Sequence, residues 1–92
     1  HATLFEIYQE IKHSRIAVET LQQRIIPTAQ QALTSYEKLY YNGRYSLLEL
    51  LESQRSLLQA RFQLIEAAAR FHRLRINLER LTGASILTGD LS

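Results

Sequence analysis

From Arg44 to Thr82 the chain contains neither glycine nor proline, and from His1 to Asn42 it contains only Pro27. Gly and Pro are the strongest local breakers of regular structure, so their absence over such lengths leaves two long uninterrupted segments. They join at Gly43, and a short piece follows Gly83.

The ends of both segments carry helix signals. Thr3-Leu-Phe-Glu6 fits a capping box, in which the Thr3 hydroxyl takes the Glu6 amide and the Glu6 carboxylate reaches back. Ser46-Leu-Leu-Glu49 repeats the pattern, with Tyr45 and Leu50 at the staple positions. Asn42-Gly43 is a stop signal, because Gly enters the left-handed cap conformation without a Cβ clash. Thr82-Gly83 is expected to end the second segment in the same way. The reading is all-α: a long antiparallel helical hairpin with helix 1 at about 4–41 and helix 2 at about 47–81, uncertain by ~2–4 residues. Its tip lies at 42–45, residues 1–83 form the hairpin, and 84–92 are expected to be a tail. Each helix would be roughly 55 Å long.

Apolar spacing supports helix over strand. Leu4, Ile11, Val18, Ile25, Ala32 and Leu39 recur every seven residues in the first segment, and Leu50, Leu57, Leu64, Phe71 and Leu78 in the second. A repeat of that length is a coiled-coil seam. The second helix carries more than one seam requires: Leu51, Leu58 and Ile65, then Leu48, Phe62, Ala69 and Ile76, widen its stripe, and Ala60, Ala67 and Leu74 flank the other side. A wide stripe implies two or more neighbours, so self-association is expected. Pro27 lacks an N–H and its ring crowds the Gln23 carbonyl, which predicts a kink in a helix whose repeat otherwise continues.

Chemistry is sparse. With no cysteine, thiolate metal sites, disulfides and cysteine nucleophiles are excluded. The carboxylates spread along helix faces, as in Glu66 with Arg70. No phosphate loop or metalloprotease motif is present, so the chain is not expected to be an enzyme. His13 and His72 share a level in such a hairpin, with Glu10 a turn away, yet they fall on different sides of the seam, and neither a metal nor another cofactor is expected. Arg70, Arg73, Arg75 and Arg80 read as a solvated face scattered around the helix. With a net charge of only +2 and no aligned aromatics, no nucleic-acid partner is expected. No apolar run approaches roughly 18 residues, so no membrane-spanning helix is expected. A start at His1 with no signal-peptide pattern suggests a piece of a longer protein. The unusual segment is the tip itself: Tyr40, Tyr41, Asn42, Gly43, Arg44, Tyr45 and Ser46. Tyr and Arg are enriched at interface hot spots, and a tip lies far from the hairpin's own core, so these residues are the candidate partner-binding site.

At this point the residues resemble a family. Ile26-Pro27-Thr-Ala-Gln-Gln-Ala-Leu33, Tyr40-x-x-Gly43, Ser46-Leu-Leu-Glu-Leu-Leu51, Gln54, Leu57-Leu58-x-Ala60, Ala67 and Leu81-Thr-Gly83 look like the C-terminal helical hairpin of TolC-type outer membrane efflux proteins, with the flavour of the heavy-metal, CzcC-like branch. The likeness covers about residues 20–83. It implies a trimeric parent with an outer-membrane β-barrel and a periplasmic α-barrel. This chain would be the periplasmic hairpin of the second repeat, without membrane strands. The hairpin tips would form the aperture and meet a periplasmic adaptor linked to an inner-membrane pump that exports metals or drugs. Tyr40 and Gly43 match the family's tip motif and Ser46 its helix-2 cap, whereas a role for Arg44 or Tyr45 in holding the aperture closed does not follow. As an isolated piece the chain has a second way to hide its stripe, a dimeric four-helix bundle. The rival reading is a free-standing coiled-coil interaction module.

Overall fold

The computed structural model describes the backbone of residues 3–91 and side chains as far as Gly83. Helix α1 spans Leu4–Thr20, a π-helical turn covers Leu21–Ile25, α2 spans Ile26–Tyr41 and α3 spans Leu47–Leu91. The first three run on as one rod that folds back along α3, giving a body of 74 × 17 × 16 Å. At 1.5 Å per residue the 45 residues of α3 reach about 68 Å, nearly the full long dimension. Among the described residues there is no strand.

Both helix starts use the expected side chains. Thr3 Oγ1 accepts the Glu6 N–H at 3.2 Å, and Glu6 Oε2 accepts the Thr3 N–H at 3.3 Å. At Ser46 the hydroxyl accepts the Glu49 N–H at 3.3 Å. Each bond satisfies an amide that has no partner inside its helix.

The kink expected at Pro27 takes the form of the π turn. The Ile26 N–H donates to the Leu21 carbonyl, five residues back. One extra residue in the turn widens the helix just where the proline ring would press on the carbonyl four residues earlier. Pro27 then falls in the first turn of α2, where a missing N–H costs little.

One boundary differs from the sequence reading. Helix 2 does not end near 81 at Thr82-Gly83: α3 runs through Gly83 to Leu91, taking in most of the segment expected as a tail. Among the described residues only Gly43 has positive φ, so Gly83 keeps helical geometry. A glycine within a helix costs about 1 kcal/mol relative to Ala, which weakens a helix without stopping it. The Thr82 hydroxyl donates to the Leu78 carbonyl at 2.8 Å, a bond made with the helical geometry on either side of it kept. Such back-bonding stays inside the helical ladder.

The seam is thin. Ile7, Leu21, Leu50, Leu57 and Ala60 are buried, together with Ser14 and Ser53. On α3 the expected line holds, since Leu64, Phe71 and Leu78 are half-buried behind Leu50 and Leu57. On helix 1 it sits elsewhere. Ile11, Val18, Ala32 and Leu39 are half-buried as expected, but Leu4 and Ile25 are exposed, and the deepest positions are Ile7, Ser14 and Leu21. That line also repeats every seven residues, with a polar residue at its centre that an apolar pattern passes over. Ile25 lies in the π turn, where the side-chain rotation of an ordinary helix no longer applies.

Candidate functional site

The tip is a hydrogen-bonded stop followed at once by a new start. Arg44 N–H donates to the Leu39 carbonyl at 2.8 Å and Gly43 N–H to the Tyr40 carbonyl at 2.9 Å. These are the two bonds of a Schellman motif, with Asn42 as the cap residue and Gly43 in the left-handed position at φ +74°. A Cβ built on Gly43 would meet nothing within 4 Å. The glycine is therefore required by backbone conformation alone, and the tip is open to a partner.

The aromatic residues of the tip divide into two sets. Tyr45 folds back, its ring meeting Tyr36 edge to face with centroids 4.9 Å apart and planes at 78°. Partial burial, with Tyr36 and the Glu49 carboxylate adding to it, pushes the Tyr45 phenol above the usual tyrosine value. Tyr40 is half-buried and meets the edge of Tyr41 at 5.7 Å. Tyr41 is 78% exposed, and Asn42, Gly43, Arg44 and Ser46 are exposed beside it. Of the seven tip residues, Tyr45 thus acts as a brace and Tyr41 and Arg44 stand outward. Sequence reading missed Tyr36, although it shares a helix face with Tyr40 four residues on.

Two grooves run along one side of the seam. The first, about 600 Å³, is lined by Glu10, His13, Ser14, Gln63, Glu66 and Arg70, among others. The second, nearer the tip and about 450 Å³, includes Tyr36, Tyr45, Glu49, Glu52, Ser53 and Ser56. His13 faces the level of Glu66 and Arg70, about a turn before His72, which does not line this groove. Among the described residues no group of three or more potential metal ligands comes together. The expected Glu66–Arg70 pair is replaced by Arg75 Nη2 with Glu79 Oε1 at 3.7 Å, an exposed contact of small energetic weight. Arg70 lines the first groove, and Arg73 and Arg80 lie at seven-residue spacings from Glu66 of the same groove. Three of the four arginines therefore share one edge, and only Arg75 stands apart, over the Phe71 ring at 5.8 Å.

The wide stripe of the second helix is left uncovered by the hairpin. Leu48, Leu51, Leu58, Phe62 and Ile65 are exposed, Leu58 by 63% and Ile65 by 66%. A run of large apolar side chains open to water for several turns is the mark of an interaction surface. No described helix is long and apolar enough to cross a membrane.

A helical hairpin with a thin seam, an apolar outer edge and a glycine-turned tip is a coiled-coil unit shaped for packing beside further helices. The chain belongs to the outer membrane efflux protein family, whose match covers residues 4–84. It is 27% identical over 74 residues to the cobalt-zinc-cadmium resistance protein CzcC of Cupriavidus metallidurans, an alignment covering 80% of this chain and 18% of that relative. The chain thus spans less than a fifth of the length of this curated relative. No solved structure matches it.

Proposed function

We propose that the chain is a periplasmic hairpin of an outer-membrane efflux duct, in which hairpins stand side by side as an α-barrel. The observation that carries this reading is the exposed Leu48–Ile65 edge of α3, on a helix that already packs against α1 and α2. A helix in a ring of helices needs an apolar flank on each side, and α3 has two. The tip then forms part of the periplasmic aperture and docks on a periplasmic adaptor of a tripartite pump, with Tyr41 and Arg44 as its outward contacts. The likeness to a cobalt-zinc-cadmium resistance protein supports divalent metal ions as the cargo.

The test is Gly43→Val in the full-length parent. A branched side chain at φ +74° disrupts the turn, while the open space around it spares the two helices. The expected outcome is loss of resistance to cobalt, zinc and cadmium salts and loss of crosslinking to the adaptor, at normal outer-membrane abundance. Unchanged resistance with unchanged crosslinking would overturn the tip's role.

A further inference from the structure

Helix 1 faces α3 along two lines of side chains, and both slip by one residue at the π turn. The first runs through Ile7, Ser14 and Leu21, then Ala29 and Tyr36. The second runs through Ile11 and Val18, then Ile26, Leu33 and Tyr40. All of these are buried or half-buried. Each step is seven residues except the two that cross the turn, Leu21 to Ala29 and Val18 to Ile26, which are eight. An unbroken repeat would have continued through Ile25, Thr28 and Ser35, and these are exposed. The facing lines of α3, Leu50–Leu57–Leu64–Phe71–Leu78 and Ser53–Ala60–Ala67–Leu74, keep steps of seven throughout.

Helix 1 therefore holds one residue more than its packing uses. In an α-helix an extra residue turns everything beyond it by about 100°. A turn closed by five-back bonds absorbs it locally, so α2 keeps its packing face toward α3. The hairpin does not need the insertion to fold, because without it both lines become a regular heptad repeat. The insertion also weakens the ladder. The Ile26 N–H, which an α-helix would give to Gln22, goes to Leu21, and Pro27, which would serve Gln23, has no N–H. Two successive carbonyls lack their α-helical donor, on residues exposed to water.

Side-chain packing at the same level is tight. Ser14 and Ala17 share the first groove with Gln63 and Ala67, and Ala29 and Ala32 share the second with Ser53 and Ser56. Between these levels the π turn packs on α3. Leu21, Leu57 and Ala60 lie there, three of the five buried apolar residues among those described. Helix 1 is thus interrupted over a close contact, with a looser seam on either side. α3 is unbroken there, yet long helices curve with radii of roughly 60–100 Å. Over the 16 residues of α2, about 24 Å, such a curve swings the tip by about 3–5 Å.

We propose that the Leu21–Ile25 turn is a pivot: α2 tilts against α1 about the Leu21–Leu57–Ala60 contact and carries Tyr41 and Arg44 sideways while the seam stays closed. The pivot belongs to the hairpin itself and does not depend on the duct reading. Each tilt has to open bonds of the turn, so amide exchange reports it. The experiment is hydrogen exchange followed by mass spectrometry on the full-length parent, unaltered, with Gln23 deleted, and with Pro27→Ala. In the unaltered parent, peptides covering residues 24–29 are expected to exchange about tenfold faster than those covering 11–18 and 32–39. Deleting Gln23 should leave helicity intact and slow residues 24–29 to the rate of their flanks. Pro27→Ala restores one donor and keeps the insertion, so it should slow them by less, and it reads the broken ladder without any change of chain length. Equal exchange at the turn and its flanks in the unaltered parent overturns the pivot, as does fast exchange that neither variant slows. A deletion variant that loses its helices overturns the absorbed insertion on which the pivot stands.

Discussion

The same substitution at two glycines should change stability in opposite directions. Gly43 holds φ +74°, and Gly83 lies within α3 without positive φ. A Cβ at either position meets nothing within 4 Å, so packing contributes little to either change. At Gly43 an alanine takes on the left-handed penalty of roughly 1–2 kcal/mol, partly offset by the smaller freedom of its unfolded chain, for a net loss of about 1 kcal/mol. At Gly83 alanine has the better helix propensity and should gain about 1 kcal/mol. Urea unfolding followed by circular dichroism, at one fixed protein concentration, separates the two. With a slope of ~1 kcal/mol/M, the midpoints should move by about 1 M in opposite directions at unchanged slope. Stabilisation by Gly43→Ala would refute the argument from the tip conformation. Destabilisation by Gly83→Ala would show that Gly83 caps a helix.

Adjacent leucines on α3 should behave as core and interface. Leu57→Ala, at a position 6% exposed, is expected to cost about 2–3 kcal/mol in urea unfolding. Leu58→Ala, at 63% exposure, should cost the hairpin itself less than about 0.5 kcal/mol while weakening self-association measured by ultracentrifugation. Thr3→Ala removes one bond of the capping box and makes the other less favourable, for a loss of about 1 kcal/mol in the same unfolding assay. Tyr45 should make stability fall at high pH. Its folded-state value lies above the ordinary 10.0, so its contribution is complete below that pH and is lost as pH rises through the folded value. Ultraviolet titration of Tyr45→Phe should lack a component titrating above the ordinary tyrosine value, and its stability should fall less at alkaline pH; an unchanged titration would contradict the assigned burial.

Much of this fold could be read directly from residue spacing. Thr3, Ser46 and Gly43 are local signals, each acting through bonds to residues within a few positions, so they place the first helix at 4–41 and start the second at 47. The seam of helix 1 was less readable. Its central line passes through Ser14, and an apolar count moves the line to Leu4 and Ile25, both exposed. Gly83 misled for a related reason: as a single residue it is compatible with either a cap or a helix interior, and only the chain beyond it decides. At the tip, the sequence marks the tyrosines as one cluster, whereas their division depends on which ring reaches Tyr36 across the turn. The two grooves depend on the register between α3 and the other helices, which no local spacing encodes.

All of this depends on the outer edge of α3 needing a cover that the hairpin lacks. Sedimentation equilibrium of the 92-residue chain, alone and carrying Leu58→Glu with Ile65→Glu, addresses that need directly. The expected result is a helical oligomer at micromolar concentration that dissociates, and loses helicity on dilution, when the two charges are introduced. A cooperatively folded monomer that tolerates both glutamates without loss of helicity would contradict it.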